Sequence, residues 1–473
     1  MSFAQGVTTG SINGRALDNN DSPLSGANIV ATHIPTGSVY GAVADFDGFY
    51  RITNMKSGGP YTLMISYVGF EDYKQEGILI SLGESKRIST KMAETASALD
   101  EIVISATNNG IFNSNKTGTE TSISERDINT LPTVSRSVAD FARVTPSAQI
   151  TEGNDGFSIS LGGQNNRYNS IYIDGAVNND VFGLAGSGTN GGQTGVNPFS
   201  VDAIESFQIN LAPFDVRQSG FTGGSINAVT RSGSNIWEGS AYGFYRNESL
   251  AGKTPVDLVN EGDSREKLDE FTALTYGVRI GGPIIKDKLF FFANYERQED
   301  ETPQPFNFSN YTGDSSIQDI NNLSSFLQSN YGYNPGIFDN NTRTLDSDKL
   351  NLRFDLNAGQ NHKLYLRLGV VQAENLEARN SGNRNIGFIN GSEYFETSTY
   401  SGAFEWSANL GPKYANNLKL GYTAVRDDRD PYGSPFPTVD IQDGAGTISF
   451  GAEPFSTANL LNQDVFTINN NFE

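Results

Sequence analysis

The stretch Lys349-Leu350-Asn351-Leu352-Arg353-Phe354-Asp355-Leu356-Asn357 decides the fold, because every second residue is apolar and every residue between is charged or an amide. A period of two residues places the apolar side chains on one face of a β-strand and the polar side chains on the other. The segments 363–368 and 400–410 repeat this period. A half-exposed sheet of a water-soluble protein would show the same alternation strand by strand.

The lengths of the connections between such segments distinguish a water-soluble sheet from a membrane barrel. Alternating segments lie at 236–246, 271–280, 288–297, 348–357, 362–371, 398–410 and 415–427, and another begins near Phe466. The connections alternate between long ones, such as 298–347, and short ones, such as 358–361. Outer-membrane barrels have short turns in the periplasm and long loops outside. The sequence therefore predicts the first part of a transmembrane antiparallel β-barrel, with about eight strands in this chain.

The length and charge of the chain limit its domain number and the classes of protein to which it can belong. The chain has 473 residues, which predicts about three domains. It contains no run of about 18 apolar residues, so no membrane helix is expected. The formal net charge is -21, and without a basic surface we expect no nucleic-acid partner.

Residue types also limit the chemistry. Cysteine is absent, which removes disulfides, cysteine-based zinc sites and thiol catalysis. The histidines are His33 and His362, far apart in different predicted domains, so a histidine-centred metal site or catalytic triad is not expected. We therefore predict no catalytic residues, no metal site and no cofactor. A soluble secreted enzyme is the hypothesis that these observations weaken most.

The first hundred residues predict a short tail followed by a small all-β domain. Residues 1–9 are interpreted as a signal-peptide remnant or mature N-terminal tail, because Ser2-Phe3-Ala4-Gln5 resembles the end of a secretory signal. Residues 10–93 contain short β-prone runs separated by Gly, Pro and Asp turns. The run from Asp45 to Gly48 resembles the start of an EF-hand loop, but Lys56 stands where that loop needs a glutamate. We therefore predict a tight turn there.

The linker at 94–107 contains a short β-prone run, Leu99 to Ser105, flanked by polar residues. A run of this kind can add to the sheet edge of another protein through main-chain hydrogen bonds. It can also pack as the last strand of the first domain, and the pattern alone favours this second interpretation.

Residues 108–233 predict a mixed α/β domain. Ser135 to Val144 can form a short helix with Pro146 beyond its end. Glycine then becomes frequent, and Gly186 to Gly191 matches G-x-G-x-x-G. Because no clear strand precedes this motif and no helix follows it, we do not predict nucleotide binding. The glycines are better explained by tight turns and close backbone packing.

Several further motifs lie in the second domain: Gly162 to Arg167, Ile171-Tyr172-Ile173-Asp174-Gly175, Ala203 to Phe207, Leu211 to Arg217 and Gly223 to Gly233. Gly281-Gly282-Pro283 and Lys286 to Phe292 follow in the next part of the chain. Together these motifs resemble the TonB-dependent outer-membrane receptors, in the Oar-like, SusC-related branch found in Bacteroidota. Gly14-Arg15, Pro23 to Ala27 and Asp45 to Tyr50 resemble a carboxypeptidase-regulatory-like β-sandwich.

This resemblance implies a mostly β protein in three parts. Residues 10–93 would form the N-terminal β-sandwich, 108–233 an α/β plug domain and 234–473 the N-terminal part of a barrel that has about 22 strands in the family. The chain is shorter than such a barrel requires, so we expect a truncated sequence. The linker would carry the TonB box, which binds TonB through Asp100, Glu101, Ile102, Val103, Ile104 and Ser105. The plug motif, structural or gating, would comprise Gly163, Arg167, Asp174, Gly175, Gly223, Gly224 and Arg231. For Arg167 and Asp174 we favour structural hydrogen bonds over contact with substrate.

The resemblance also implies a location and an activity. The protein would lie in the outer membrane of a Gram-negative bacterium, among its lipids, with the N-terminal domain and TonB box periplasmic and the long loops extracellular. It would bind an external substrate and import it with energy delivered by TonB and its inner-membrane motor proteins. The Oar-like features slightly favour a peptide or protein substrate, and make a surface lipoprotein partner less expected than in SusC-type pairs. The alternative is an adhesin or surface-assembly protein without transport.

Overall fold

The computed structural model describes residues 6–95, 103–105, 119–133, 135–153, 156–211, 218, 220–259, 264–411, 414–456 and 459–473. Strands dominate these residues, and they form an N-terminal sandwich, a plug, a barrel sheet and a group of folded loops. The predicted mostly β fold is confirmed. None of the helices in the described ranges is long and apolar enough to cross a membrane.

The N-terminal domain is a β-sandwich of two sheets. One sheet has the order β4-β1-β7, with β8 also pairing with β1, and the other has the order β3-β2-β5-β6-β9. Alternate residues of β1 are buried between the sheets, as a period of two requires. The strands are β1 Thr9–Asp18, β2 Asn28–His33, β3 Ser38–Val43, β4 Phe49–Lys56, β5 Gly58–Ser66, β6 Tyr73–Ile80, β7 Ser85–Arg87, β8 Thr90–Met92 and β9 Val103–Ser105.

Two predictions fall within this domain. Asp45 Oδ1 accepts hydrogen bonds from the backbone N–H groups of Asp47 (3.0 Å) and Phe49 (2.8 Å), so the predicted tight turn is confirmed. The end of the β-prone linker run, β9, pairs with β6 and becomes the last strand of the N-terminal sheet. The interpretation favoured by the pattern alone is therefore confirmed for residues 103–105.

The plug is built on a five-stranded sheet with the order β10-β15-β16-β13-β14, and β11 and β12 form a separate hairpin. Its apolar core joins this sheet to two short helices through residues such as Phe141 and Phe207. The elements are β10 Glu120–Ile123, α1 Glu125–Thr130, α2 Val138–Ala142, β11 Ala148–Gly153, β12 Gly156–Leu161, β13 Ser170–Ile173, β14 Ala176–Val177, β15 Ile204–Asn210 and β16 Ser225–Thr230.

The helix predicted from Ser135 to Val144 is present but shorter. Arg136 has a φ of +51°, which no α-helical residue adopts, so the helix cannot begin before Ser137. Ser137 and Asp140 form a capping box that starts α2 at Val138.

The barrel part is one antiparallel sheet of eight strands, in which each strand pairs with the next barrel strand along the chain. All eight predicted strands are confirmed. Leu350 and Phe354 lie exposed on the outer face, whereas Arg353 on the inner face is buried against the plug. The strands are β17 Glu238–Asn247, β18 Thr272–Ile285, β19 Leu289–Gln304, β20 Asn341–Asn357, β21 His362–Glu377, β23 Glu393–Asn409, β24 Ala415–Pro431 and β27 Asn459–Phe472.

The long connections of the barrel fold together at the end opposite the N-terminal domain. We call residues 305–340, 378–392 and 432–456 the cap. It contains α3 Ile317–Tyr331 and a three-stranded sheet of β22 Asn385–Gly387, β26 Gly446–Phe450 and β25 Val439–Asp443. Three connections contribute to one apolar core: Ile320, Leu327, Tyr333, Phe338, Ile386, Phe388, Ile448 and Phe450. The predicted loop 298–347 is therefore shorter than expected, since β19, α3 and β20 occupy most of it.

Candidate gating site between the plug and the barrel wall

Asp174 is the centre of the contact between the plug and the barrel wall. It begins the two-residue turn that joins β13 to β14, with Ile173 paired to Ala176. Asp174 has a φ of +49° and Gly175 a φ of +78°. Two-residue hairpin turns of type I′ require positive φ at both central residues, and Asp-Gly is a favoured sequence for them. This backbone geometry aims the Asp174 side chain away from its own hairpin and into a fully buried position.

The Asp174 carboxylate joins the two parts of the protein. Thr230 at the end of β16 donates to it from its backbone N–H (2.9 Å) and its hydroxyl (2.7 Å). From the wall, Arg353 Nη1 lies 3.1 Å from Oδ1 and Arg367 Nε lies 3.3 Å from Oδ2. The hydroxyl of Tyr365 donates to the backbone oxygen of Asp174 (2.8 Å). We call Asp174, Thr230, Arg353, Tyr365 and Arg367 the Asp174 junction.

Buried charge at this junction is balanced. Arg353 also pairs with Asp355 at 2.9 Å and lies over the ring of Tyr365, 4.3 Å from its centroid. Two guanidinium groups thus face two carboxylates within a few ångströms. Paired, hydrogen-bonded charges are the form in which burial of ions is tolerated, and removing one partner leaves a costly unpaired charge.

A second polar contact lies further from the periplasmic turns. Glu296 of β19 pairs with Lys349 of β20 at 3.0 Å inside the lumen. The plug residue Ser200 donates to the other oxygen of Glu296 (2.8 Å), as does Tyr242 of β17 (3.1 Å). The plug therefore contacts the wall through charged and hydroxyl groups at this level too.

Near the extracellular end, the plug loop after β14 contacts the wall through single hydrogen bonds. Asn375 donates to the backbone oxygen of Thr194 (3.2 Å), and Gln463 donates to the side chain of Asn190. The apolar cluster at this level contains only Val196, Val371 and Ala373. At each of these three levels, the described residues of the plug thus contact the wall through polar groups.

The remaining plug-motif residues lie within the plug rather than against the wall. Gly163 is in an exposed turn with a φ of +76°, and Arg167 is exposed in a 3₁₀ turn beside Gly183. A side chain at Gly223 would meet Asn169, and one at Gly224 would meet the backbone oxygen of Asn210 at 2.7 Å. Arg231 is nine-tenths buried, donates to the backbone oxygen of Asp202 (3.0 Å) and pairs with Glu125.

The N-terminal domain lies under the plug, at the end of the barrel that carries the short turns. Residues that precede its first strand enter the lumen: Thr8 donates to Glu405 (2.7 Å), and Lys419 donates to the backbone oxygen of Gly6 (2.9 Å). Its turns contact the rim, where Ser38 donates to Asn357 (2.9 Å). A cavity of about 70 Å³ lies where the three parts meet, lined by residues that include Lys56, Ser232 and Lys363.

Half of the predicted TonB-binding segment is described. Asp100, Glu101 and Ile102 lie outside the described residues. Val103, Ile104 and Ser105 form β9, parallel to β6, in register with Lys74, Gln75 and Glu76. Among the residues that the structure covers, no group of three or more His, Asp or Glu side chains is arranged to hold a metal ion.

Sequence reasoning identified Asp174 but not its partners. Arg353, Tyr365 and Arg367 occupy inward positions of the alternating strands. The pattern places such side chains in a water-filled lumen and does not identify a contact partner. A signal was present: arginines and a tyrosine at inward positions close to the periplasmic turns are bulky enough to reach a plug.

A plug sheet bonded to the inner face of an eight-stranded antiparallel sheet, with long loops at one end, defines a plugged barrel of the outer membrane. Three family models match consecutive parts of the chain: the carboxypeptidase regulatory-like domain at 11–93, the TonB-dependent receptor plug domain at 113–225 and an outer membrane beta-barrel domain at 229–315. These matches confirm the resemblance to the TonB-dependent outer-membrane receptors that the motifs predicted.

The chain is also similar to individual proteins. The chain is 28% identical to the TonB-dependent transporter Oar of Myxococcus xanthus over 313 residues, which are 62% of this chain and 27% of that protein. A solved structure of the outer membrane transporter YddB from Escherichia coli aligns with a TM-score of 0.49 at 15% identity, covering 74% of this chain and 44% of that one. The ferric enterobactin receptor PfeA from Pseudomonas aeruginosa aligns with a TM-score of 0.45 at 14% identity, with the same two coverages. The chain thus spans about a quarter of the curated relative and less than half of these two structures.

Proposed function

We propose that this protein is a TonB-dependent transporter that carries an extracellular substrate, a peptide or protein, into the periplasm. Substrate binds at the cap and at the upper surface of the plug. TonB then pairs with the segment Asp100–Ser105 and pulls, and the plug leaves its position against the wall. No covalent chemistry takes place, so the protein acts as a carrier and not as an enzyme.

The observation that carries this proposal is the polar interface between plug and wall. Water can replace hydrogen bonds and ion pairs when the two surfaces separate, whereas an apolar interface would lose its burial with no replacement. The Asp174 junction holds the plug at rest through directional contacts. Such contacts favour one resting position and still permit rearrangement under force.

TonB binding by strand addition provides the test. The full chain, extracted in detergent, is incubated with the purified periplasmic domain of TonB from the same organism. Deletion of Asp100–Ser105 should abolish binding. Ile104→Pro should weaken binding at least about tenfold, because proline removes a backbone donor that an added strand needs. Ile104→Val keeps the backbone donor and is the matched control. Unchanged binding after the deletion would overturn the proposal.

The cap favours a second candidate, an adhesin. Its loops are not loose, because they share an apolar core with aromatic packing such as Tyr333 on Phe436, 4.0 Å between centroids. A rigid extracellular surface suits attachment as well as capture. Deleting Asp100–Ser105 discriminates between the two: uptake stops in a transporter, whereas attachment by an adhesin continues.

A further inference from the structure

Three residues that precede β1 lie inside the barrel, between the plug and its wall. We call residues 6–8 the strap. Gly6 and Thr8 are buried, and the strap continues directly into β1 of the N-terminal sandwich. Three extended residues span at most about 10 Å, so any larger movement of the sandwich must draw the strap out of the lumen.

On its plug side, the strap packs against the turn between β13 and β14. A Cβ atom on Gly6 would lie 2.6 Å from the Cβ atom of Tyr172 and 2.9 Å from the Cα atom of Gly175, so a larger residue does not fit here. Val7 donates from its backbone N–H to the side chain of Asn227 (2.9 Å), which is almost completely buried in β16. The strap therefore contacts two separate parts of the plug sheet.

On its wall side, the strap is bonded to two strands of the barrel. Thr8 Oγ1 donates to Oε2 of Glu405 in β23 (2.7 Å), and Lys419 of β24 donates to the backbone oxygen of Gly6 (2.9 Å). Glu405 is buried, and its other carboxylate oxygen accepts two hydrogen bonds from neighbouring wall side chains (2.6 and 3.0 Å). Because a buried carboxylate needs such partners, the hydroxyl of Thr8 is bound firmly in this position.

The strap and the Asp174 junction hold the same turn from different sides. The junction reaches β20 and β21 through Arg353 and Arg367, whereas the strap reaches β23 and β24. The fit around the turn is close, since a side chain at Gly175 would meet Lys419 at 3.1 Å and Thr8 at 3.3 Å. The turn is thus held towards four wall strands, and the strap supplies hydrogen bonds to two of them.

We propose that the strap locks the plug at rest, and that the N-terminal sandwich and the plug turn move together when the plug opens. While the sandwich is docked under the barrel, the strap stays in the lumen and holds the turn between β13 and β14. Movement of the sandwich draws the strap out, and the turn then loses the contacts that the strap supplies. The inference rests on the proposed function in one respect, since movement of the plug is the opening step there, but its tests need neither TonB nor substrate.

Gly6→Ala tests whether the strap holds the turn. The added methyl group overlaps Tyr172 and should push the strap out of its position. Hydrogen exchange of β13 in the full chain should then become at least about tenfold faster, which corresponds to the loss of one hydrogen bond to a charged group. The matched control is Gly41→Ala in β3 of the same sandwich, where a Cβ atom would meet only a backbone oxygen at 3.6 Å. Equal exchange of β13 in the two variants would mean that the strap does not hold the turn.

Thr8→Val tests the bond between the strap and the wall. Valine has the shape of threonine without the donor, so Glu405 loses a hydrogen bond inside the lumen and exchange of β13 should again become faster. Thr8→Ser keeps the hydroxyl group and should leave the exchange slow. If Thr8→Val and Thr8→Ser gave the same exchange, the bond to Glu405 would not hold the strap.

A disulfide between the sandwich and the rim of the barrel tests the joint movement. Ser38 of the sandwich donates to Asn357 at the rim (2.9 Å). The chain has no cysteine, so Ser38→Cys with Asn357→Cys introduces the only two thiols. Oxidation should keep the strap in the lumen and slow the exchange of β13 at least about tenfold, and reductant should reverse the change. When the same chain also carries Gly6→Ala, oxidation should leave the exchange of β13 unchanged, because the strap is no longer in place.

Each other outcome of the disulfide experiment overturns the inference. If oxidation slows the exchange equally with and without Gly6→Ala, the sandwich holds the plug through other contacts and the strap is not the lock. If oxidation has no effect in either chain, the plug opens independently of the sandwich. Failure of the two thiols to join would mean that the sandwich does not dock at the rim. None of these results bears on TonB binding, so the proposed function is tested separately by deletion of Asp100–Ser105.

Discussion

The plug–wall interface is held by polar contacts, whereas the cap is held by an apolar core. The plug meets the wall through buried charges and hydroxyls, and the apolar cluster shared between them has three small members. The cap joins three separate connections through an apolar and aromatic core of eight buried residues. Both assemblies are non-local, since residues from distant parts of the chain must meet in each. They differ in what happens when the parts separate.

Separation of an apolar core exposes surface to water at a cost of about 25 cal/mol per Å². Separation of a hydrogen-bonded interface exchanges protein partners for water, so the net cost of each bond is about 0.5–1.5 kcal/mol. The cap is therefore suited to remain one unit, and the plug is suited to move. The following variants test this contrast, from the largest expected effect to the smallest.

Asp174→Ala should produce the largest loss. It leaves Arg367 buried without its carboxylate, and removing one partner of a buried ion pair costs about 3–5 kcal/mol. Hydrogen exchange of β13 and β16 in the full chain measures the loss as faster opening of the plug. Adding Arg367→Met to this variant should recover part of the stability, because the unpaired charge is then gone.

The matched control is Asp464→Ala, which removes a carboxylate from an exposed pair with Arg426 on the outer surface. An exposed pair contributes about 0–1 kcal/mol, so plug opening should not change. Equal effects of Asp174→Ala and Asp464→Ala would mean that the Asp174 junction does not hold the plug.

Ile386→Ala should loosen the cap and leave the plug unaffected. Ile386 is fully buried and pairs with Ile448 across β22 and β26. Truncating a buried isoleucine costs about 2–5 kcal/mol. Limited proteolysis of the cap should become faster while hydrogen exchange of β13 stays constant. Ile337→Ala is the control, because Ile337 is half exposed in the same cap and such substitutions change stability by about 0.5 kcal/mol or less. Similar cleavage of the two variants would argue against a shared core.

Ser316→Ala should have a smaller effect, confined to one helix. Ser316 caps α3 by donating from its backbone to Asp319 (2.9 Å) and accepting from the Asp319 backbone. Losing such a cap costs about 1 kcal/mol. Hydrogen exchange in the first turn of α3 should increase. Ser325→Ala, on the exposed surface of the same helix, should instead leave exchange unchanged or slow it slightly, since alanine has the highest helix propensity. If the two serines gave the same result, α3 would not depend on its cap.

The sequence predicted the barrel because alternation is a local property. The spacing of Leu350, Leu352 and Phe354 within one strand shows that they share a face. The alternation of loop lengths then favours a membrane barrel over a water-soluble sheet. The Asp174–Gly175 turn is also a local feature, since it needs only two neighbouring residues with positive φ, although these residues were singled out only through the plug motif. The barrel residues that contact Asp174 could not be predicted, because Arg353 is 179 positions from Asp174 in sequence. Which inward side chain meets the plug depends on the register of the whole sheet.

The cap was missed for a related reason. Ile320, Ile386 and Ile448 belong to three connections, and each connection alone reads as a polar loop. Its strands are three to five residues long, too short for a period of two to stand out. A core assembled from scattered apolar residues leaves no periodic signal in any one segment.

Acid should act in opposite directions on the plug and the cap. In the plug, burial raises the pKa of Asp202, although Arg136 opposes this. A raised folded-state pKa contributes stability at low pH, and this contribution is lost as the pH rises through the folded pKa.

In the cap, burial also acts to raise the pKa of Asp443, but hydrogen bonds from Tyr311 and Ser315 outweigh it and lower the pKa. That contribution is present above the usual carboxyl pKa of about 3.9 and is lost as the pH falls below it.

Hydrogen exchange at pH 6 and at about pH 3.5, on either side of the usual carboxyl pKa and corrected for the intrinsic rate, measures both contributions. Asp443→Asn should reduce the acid sensitivity of the cap, since an amide does not titrate. Asp202→Asn should reduce the pH dependence of the plug, with the opposite sign. If both substitutions changed exchange in the same direction, the hydrogen bonds to Asp443 would not control its protonation. The cap would then depend on its apolar core alone, which would sharpen its contrast with the charge-held plug.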